Sequence, residues 1–387
     1  MHSCLVGSEM CIRDRENIDK CVLDMFEKEH LNNNFENIKI NKDINEKVLP
    51  YQTMHIFNMI NAVTNNKVAI DCSQTGTGKT YTSIAVCKQM KLKPFIVCPK
   101  SLVGKWIEVA NHFDLELLGI SNYELLRNGK KININNRNQE ECEYIKVNKG
   151  NENKEEEKKE EEKNKKKAYK AEWKLNGVKH GYSTKGVMII FDEVHLCKNK
   201  ESYGNKILLG SVKTPKNVKI LMLSATICEK IQDFGVYGIV MGLYSNMRTG
   251  KSWIESMIRQ ENNKIKKTKH NAFHDFLFPK YGARMTIDDI GDDFPTNNIS
   301  FECFDVDENK LQEVRILEEN RRKNEKMGKG CALEGLNKLR ECLELIKCDI
   351  MLELLEKYMD EGKSVVLFVN YTASFNKIKN SLKNRYI

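Results

Sequence analysis

Three features are missing from this sequence of 387 residues, and each absence excludes a class of protein. Its 13 cysteines include no Cys-x-x-Cys pair, so neither a zinc ribbon nor a secreted disulfide framework is indicated, and free thiols in a reducing compartment are expected. No apolar run is long enough to cross a membrane, and no charged and then apolar leader suggests secretion. We therefore expect a soluble intracellular protein.

Arginine is also scarce, at 12 of the 63 basic residues, the others being lysine. The formal net charge of +9 permits a nucleic-acid partner. A composition rich in lysine and asparagine is equally compatible with biased coding, so the charge only supports that interpretation. A hydrophobic content of 40% over 387 residues is enough to build a core in each of two domains.

The most informative sequence that is present is SQTGTGKT at residues 73–80, directly after the apolar run VAIDC. A glycine-rich turn between a strand and a helix can surround phosphate oxygens with backbone amides, and Gly76 and Gly78 let the backbone approach closely. Lys79 can reach the β- and γ-phosphates, and the Thr80 hydroxyl can join a magnesium shell. A chance Gly/Thr-rich turn is the alternative, but the flanking strand and helix patterns favour a P-loop. The predicted phosphate-binding residues are Ser73, Gln74, Thr75, Gly76, Thr77, Gly78, Lys79 and Thr80.

A second element, VMIIFDEVH at residues 187–195, is a buried-type strand that ends in two adjacent carboxylates and a histidine. This pattern is typical of a Walker B element. Asp192 would hold magnesium through a water, and Glu193 would orient and deprotonate the attacking water. Alone, such a sequence is more often a solvated turn at a strand end, but behind a P-loop it indicates a nucleotide-hydrolysing site.

A third element, LMLSATI at residues 221–227, is another apolar strand, and it ends in Ser224, Ala225 and Thr226. Small hydroxyl residues at a strand end are common in ordinary turns. In order behind the other two elements, they complete a pattern. SQTGTGKT, DEVH and SAT together resemble motifs I, II and III of the superfamily II helicases and translocases.

Further sequences resemble the Swi/Snf-type branch of that superfamily and its relatives in large DNA viruses and phages. They are LPYQ at 49–52, FIVCPKSLVGKW at 95–106, ISNYELL at 120–126 and the extension DEVHLCKN. The sequence departs from the branch at Val194, where alanine is usual, and at SATI, where many members have Gly-Thr-Pro. FPKYGARMTIDDIGDDFP at 278–295 resembles a segment of the viral helicases, but it carries no residue role.

The resemblance implies ATP and Mg²⁺ as cofactors and a nucleic acid, expected to be DNA, as partner. It implies that Gln52 reads adenine, and that contacts near the strand backbone are made to phosphates, so that binding tolerates any sequence and weakens with salt. The residues expected to couple nucleotide state to nucleic acid are His195, Ser224, Ala225 and Thr226. Those expected near the nucleic-acid backbone are Pro99, Lys100, Ser101 and Tyr123.

The predicted fold class is α/β, with a RecA-like P-loop NTPase domain built on a parallel sheet at residues 16–244. Within it, residues 129–177 are predicted to be a charged, disordered insertion, because NENKEEEKKEEEKNKKK cannot bury apolar area. Residues 245–360 are predicted to form a mainly helical accessory region and bridge, and 361–387 the start of a second RecA-like domain. Residues 1–15 resemble a translated sequencing adapter and are treated as a non-native leader.

The resemblance also implies an arginine finger from the second RecA-like domain, and none of the 12 arginines lies in a motif VI context. The expectation is an amino-terminal fragment of an ATP-dependent helicase or duplex translocase with impaired hydrolysis, located in the nucleus, the cytoplasm or a viral replication site. A non-hydrolysing module that binds ATP and nucleic acid is the main alternative. A P-loop kinase or GTPase is a weaker one, because neither would need SAT or PYQ and a guanine-reading Asn-Lys-x-Asp sequence is missing.

Overall fold

The computed structural model describes residues 40–148, 169–181, 186–227, 230–268, 272–291, 299–306, 308–326 and 332–386. The chain divides into two compact units, Met1–Pro295 and Thr296–Ile387. The strands are β1 Val68–Asp71, β2 Lys93–Cys98, β3 Gly119–Asn122, β4 Lys130–Ile132, β5 Gln139–Glu141, β6 Ile145–Asn148, β7 Lys170–Trp173, β8 Val187–Phe191, β9 Val218–Leu223 and β10 Gly282–Ala283.

Helices alternate with the strands of the first unit and make up the described secondary structure of the second. The α-helices are α1 Lys42–Asn45, α2 Gln52–Asn65, α3 Lys79–Met90, α4 Val103–His112, α5 Tyr123–Arg127, α6 Gly177–His180, α7 Tyr203–Ser211, α8 Gly235–Val240, α9 Met247–Thr268, α10 Ala272–Leu277, α11 Ile287–Ile290, α12 Glu308–Lys326, α13 Ala332–Asp360 and α14 Thr372–Tyr386. Short 3₁₀ helices are Lys100–Leu102, Val194–Cys197 and Ile231–Phe234. In the part of the chain that the structure describes, none of these helices combines the length and apolarity needed to cross a bilayer.

One mostly parallel sheet organises the first unit. Its order is β10-β1-β9-β8-β2-β3-β4-β5, parallel as far as β3 and antiparallel over the last two steps, while β6 and β7 form a separate antiparallel hairpin. All five residues of β8 are buried, as a continuously apolar strand requires when helices cover both faces. Helices α2, α3 and α4 contribute to the apolar cluster on one face, and α7 to α10 to the cluster on the other.

Parallel pairing places the carboxyl ends of the central strands at the same edge of the sheet. Asp71 pairs with Leu223, and Phe191 pairs with Met222, so the chain leaves β1, β9 and β8 side by side. The segments SQTGTGKT, SAT and DEVH follow these three strands directly. The predicted α/β fold with a parallel sheet and a P-loop after its first strand is confirmed.

The structure differs from the predicted disordered insertion at both ends of residues 129–177. Strands β4 to β7 lie in that range, and these strands and their connections bring apolar side chains into the core, among them Cys142, Ile145 and Trp173. These residues are separated by charged ones in the sequence, which conceals their burial. The charged run 151–167 lies outside the described residues.

The structure also differs from the predicted boundary at residue 244. Helices α9 and α10 contribute Met257, Phe273 and Leu277 to the core of the first unit, and β10 then pairs with β1. The first unit therefore includes part of the region predicted to be an accessory bridge. The reason is a parallel strand pairing between residues more than 200 positions apart, which no local pattern indicates.

In the second unit, the apolar segment GKSVVLFVN at 362–370, within the predicted start of a second RecA-like domain, has no strand partner among the described residues. Leu367 and Val369 pack against the small cluster of Cys348, Leu352 and Ile378, while Phe368 is 88% exposed. An extended segment becomes a strand only when its backbone groups pair with another strand. The assignment of this segment to a second RecA-like domain stays a prediction.

A substitution at Gly282 tests the close pairing of β10 with β1. A Cβ at this position would overlap the carbonyl oxygen of Ile70, whereas a Cβ at Gly104 in α4 would meet nothing within 4 Å. We expect Gly282→Ala to lower the free energy of unfolding by about 1–3 kcal/mol, the typical cost of overpacking. The matched Gly104→Ala is expected to raise it by about 0.5–1 kcal/mol, because alanine is the better helix former. Denaturant unfolding of the two variants measures both, and equal effects would contradict the tight β10–β1 contact.

Candidate nucleotide-binding site

The P-loop ends where α3 begins. Gly76 and Gly78 have φ angles of 91° and 93°, in the left-handed region that glycine adopts without strain. A Cβ at Gly78 would in addition overlap the Gln52 side chain. Lys79 is the first residue of α3, so the free amides and positive dipole end of a 12-residue helix lie at this loop. The loop can therefore receive an anion.

The Lys79 ammonium donates to two carbonyls of its own loop. Its Nζ lies 2.8 Å from Ser73 O and 3.1 Å from Gln74 O. The Thr77 hydroxyl donates to Gln74 O at 2.8 Å. Ser73 and Thr77 are buried, while Thr75 is exposed at the tip of the loop. The structure thus gathers the predicted phosphate-binding residues around one lysine, with Thr80 half-buried in the first turn of α3.

Gln52, the predicted adenine reader, lies against the P-loop. Gln52 is only 3% exposed. Its Nε2 donates to Thr77 O at 3.0 Å, and its Oε1 accepts from Leu49 N at 3.0 Å. The carboxamide therefore ties the beginning of α2 to the loop. Adenine reading stays a prediction.

Asp192 and Glu193 lie at the carboxyl end of β8, in the neighbouring part of the same edge. Asp192 is 6% exposed, its Oδ2 accepts from the indole Nε1 of Trp106 at 2.8 Å, and its Oδ1 accepts from Glu193 N at 3.0 Å. Burial raises the pKa of Asp192, against the lowering effects of the Trp106 hydrogen bond and the Lys79 charge, and the adjacent Glu193 adds to the rise. The negative charge of the buried Asp192 carboxylate is therefore only partly compensated by its neighbours.

A hydroxyl at Thr80 and a buried carboxylate at Asp192 fit magnesium, which prefers hard oxygen ligands and is usually held by one or two carboxylates plus substrate phosphates. Within the described ranges, no group of three or more His, Cys, Asp or Glu side chains could form a metal site by itself. The residues present therefore suit a cation that arrives with a triphosphate.

His195 connects the DEVH element to the SAT element. Its Nδ1 lies 3.1 Å from Glu193 Oε2 and 3.1 Å from Ser224 Oγ. The Ser224 hydroxyl also accepts from Thr226 N at 3.3 Å. Ser224 is fully buried, Ala225 half-buried and Thr226 exposed. A continuous series of polar contacts therefore runs from Glu193 to the end of β9.

The residues predicted near nucleic acid fall into two groups. Lys100 and Ser101 are exposed in the short helix after β2, next to the half-buried Pro99. The Tyr123 hydroxyl instead donates to Asp192 O at 2.7 Å, and burial raises its pKa well above the ordinary value. Tyr123 thus supports the DEVH element, and its role toward nucleic acid stays a prediction.

Sequence reasoning missed a buried pair below the P-loop. His55 Nε2 lies 2.9 Å from Asp71 Oδ2, and Asp71 Oδ1 accepts from Ser73 N at 2.9 Å. Burial raises the pKa of Asp71, but His55 and the Ser73 hydrogen bonds outweigh it, so the pKa lies below its ordinary value. The only sequence signal is a charged residue ending an otherwise apolar strand. Trp106, 86 positions from Asp192, gave no signal for its contact.

The chain is similar to known proteins in its sequence and in its fold. Residues 45–229 match the family model described as type III restriction enzyme, res subunit. A protein of Acanthamoeba polyphaga mimivirus, provisionally named ATP-dependent RNA helicase L364, is 30% identical over 364 residues, which cover 88% of this chain and 64% of the relative. This chain thus spans somewhat less than two thirds of that relative's length.

Two solved structures from Sulfolobus solfataricus resemble the chain. The SWI2/SNF2 ATPase core in complex with dsDNA is 18% identical with a TM-score of 0.41, covering 90% of this chain and 72% of that chain. The SWI2/SNF2 ATPase core domain is 17% identical with a TM-score of 0.39, covering 90% of this chain and 69% of that one.

The contact between Trp106 and Asp192 predicts a pH-dependent stability effect. Asp192 has a folded-state pKa above the unfolded value of about 3.9, so its ionisation costs stability as pH rises through the folded-state pKa. Trp106→Phe removes an effect that lowers this pKa, so the variant's pKa rises further. We therefore expect its destabilisation to grow, by about 1–3 kcal/mol, as pH rises from below the unfolded value to above the variant's folded-state pKa.

Trp173→Phe is the matched control, because the Trp173 indole donates at 3.0 Å to the carbonyl of Ile207, which does not titrate. Its effect on the free energy of unfolding should be constant over the same pH range. Denaturant unfolding of both variants and the wild type at several pH values measures the difference. Parallel curves for the two variants would contradict the assigned role of the Trp106 hydrogen bond.

Proposed function

We propose that this chain is a superfamily II helicase of the Swi/Snf-like, viral type, and that it couples ATP hydrolysis to movement on nucleic acid, with DNA as its track. The observation that carries the proposal is the meeting of Lys79, Asp192 and Glu193 at one edge of the sheet, where the charge of Lys79 acts on Asp192. The match to the mimivirus relative covers 64% of that relative's length. The activity of a whole protein of that length is therefore part of the same proposal.

ATP is the proposed nucleotide. Its phosphates would lie over the amino end of α3, where the loop amides and the Lys79 ammonium can exchange contacts with loop carbonyls for contacts with phosphate oxygens. Thr80 and Asp192 would hold Mg²⁺ together with the phosphates, and the ion would neutralise charge that develops on the transferring phosphoryl group. Gln52 lies against the loop, where it would recognise the adenine base of ATP.

Glu193 is the proposed general base. Its side chain is about one third exposed, at 35%, so a water molecule can reach it, and its contact with His195 fixes its direction. The same imidazole lies against Ser224, so a change at the phosphates can alter the end of β9. This series of contacts is the proposed route by which nucleotide state reaches the nucleic-acid surface, with Lys100 and Ser101 contacting backbone phosphates.

Two alternatives stand beside this proposal. The name of the mimivirus relative specifies RNA, which makes RNA the second candidate track. The other alternative is a module that binds ATP and nucleic acid without turnover. ATP hydrolysis measured alone and with duplex DNA, single-stranded DNA and RNA separates all three. Stimulation of hydrolysis by duplex DNA supports the proposal. Stimulation by RNA alone would make RNA, and not DNA, the track. ATP binding without turnover under any condition supports the non-hydrolysing module.

Lys79→Ala should weaken ATP binding by roughly 100-fold, because it removes a charge-assisted hydrogen-bond donor to the phosphates. The change removes no core contact, so the fold should persist. Isothermal titration with Mg·ATP measures the affinity. Lys91→Ala, at the exposed carboxyl end of the same helix, is the control and should bind like the wild type. Undiminished affinity in folded Lys79→Ala would remove the basis for the P-loop assignment.

Glu193→Gln should retain ATP binding but lose roughly 100- to 10,000-fold in turnover, because the amide preserves shape and removes the base. Glu201→Gln, an exposed position a few residues downstream, is the control. Steady-state hydrolysis and a binding titration on the same preparations measure the two quantities. Turnover that survives the change at Glu193 would show that another group activates the water.

A further inference from the structure

A second segment of the chain contacts the P-loop at Ser73 and Gln74, the two residues whose carbonyls accept from Lys79. This return segment, residues 281–291, follows α10 and includes β10 and α11. It pairs with β1 through hydrogen bonds from Ile70 N to Tyr281 O and from Cys72 N to Ala283 O, both 3.0 Å. Neither the sequence motifs nor the similar proteins give its residues a role.

The return segment continues along the P-loop after the strand has ended. Gln74 N donates to Met285 O at 2.9 Å, and Met285 N donates to the Ser73 hydroxyl at 3.0 Å. Ile287 N donates to the Gln74 Oε1 at 2.7 Å. Three hydrogen bonds therefore join residues 285–287 to the first two residues of the loop, over a sequence separation of about 210 positions.

The other polar groups of the same two loop residues are also fixed. Ser73 N donates to Asp71 Oδ1, and the carbonyls of Ser73 and Gln74 both accept from Lys79 Nζ. All backbone donors and acceptors of Ser73 and Gln74 are thereby paired, as buried backbone groups require. The two carbonyls that position the lysine thus depend on hydrogen bonds that the return segment makes to the same residues.

We infer that the return segment is a clamp on the P-loop, and that the Ser73 hydroxyl, the Gln74 carboxamide and the Ile287 amide position the loop for phosphate binding. This inference rests on the proposed ATP site. It explains serine at the first position of the loop. Glycine there would leave the amide of Met285, a residue only 5% exposed, without its acceptor.

The Ile287 amide offers a test that leaves the P-loop sequence unchanged. Ile287 is the first residue of α11, behind the N-cap Thr286, whose side chain forms a capping box with Asp289. The amide of a first helical residue has no partner within its helix, so it is available to Gln74. Proline is favoured at that position, and Thr286, at φ −101° and ψ 166°, already has the extended conformation that a residue before proline needs.

The experiment compares Ile287→Pro with Ile287→Ala in the full chain by titration with Mg·ATP. Both variants truncate a half-buried side chain, but only proline removes the donor to Gln74. We expect the proline variant to bind ATP roughly threefold to tenfold more weakly than the alanine variant. In Gln74→Met, which lacks the acceptor, the same proline substitution should cost less than twofold relative to alanine, because the hydrogen bond is already absent.

The outcomes separate the clamp from the function on which it rests. Equal affinities of the proline and alanine variants, with ATP binding by the wild type, overturn the clamp alone, as does a proline effect that persists in Gln74→Met. A wild-type chain that does not bind ATP overturns both. If Ile287→Pro does not fold, Gln74→Met against the wild type removes the same hydrogen bond from the loop side, and equal affinities there also overturn the clamp.

Discussion

The parallel pairing of β1 with a strand on each side is the constraint on which the site depends. In this register Asp71 lies opposite Leu223 of β9 and Ala283 of β10. The chain therefore leaves the P-loop, the SAT element and the return segment next to one another. A shift of one residue would turn every side chain of β1 to the other face and move Asp71 away from His55. The hydrogen bonds of the loop follow from this register.

Two buried aspartates at this edge respond to their surroundings in opposite ways. His55 and the Ser73 hydrogen bonds lower the pKa of Asp71 despite its burial, so its contribution to stability is present above the unfolded pKa and lost as pH falls through the folded value. Burial dominates at Asp192 and raises its pKa, so its ionisation costs stability as pH rises. Asp71 stabilises the loop, whereas Asp192 is suited to a cation that would compensate its charge.

Local patterns predicted the features that depend on neighbouring residues. The strand, turn and helix around SQTGTGKT, the buried strand before DEVH and the parallel sheet were all predicted because periodicity and glycine positions specify them. Contacts between positions far apart in the sequence were not predicted. Trp106 reaches Asp192 across 86 positions, and Met285 reaches Ser73 across 212. The burial of Trp173 was missed because charged residues surround it in sequence and the apolar hairpin pattern is short.

The central claim is that a triphosphate binds in the P-loop at Lys79, while the return segment holds the loop in position. Hydrogen exchange of the full chain with and without Mg·ATP tests it directly, since amides that bind phosphate or lie in a stabilised loop exchange more slowly. The account predicts slower exchange in peptides covering residues 73–80 and 281–291, with little change in α14. Unchanged exchange in residues 73–80 at saturating Mg·ATP, or protection confined to another region, would contradict it.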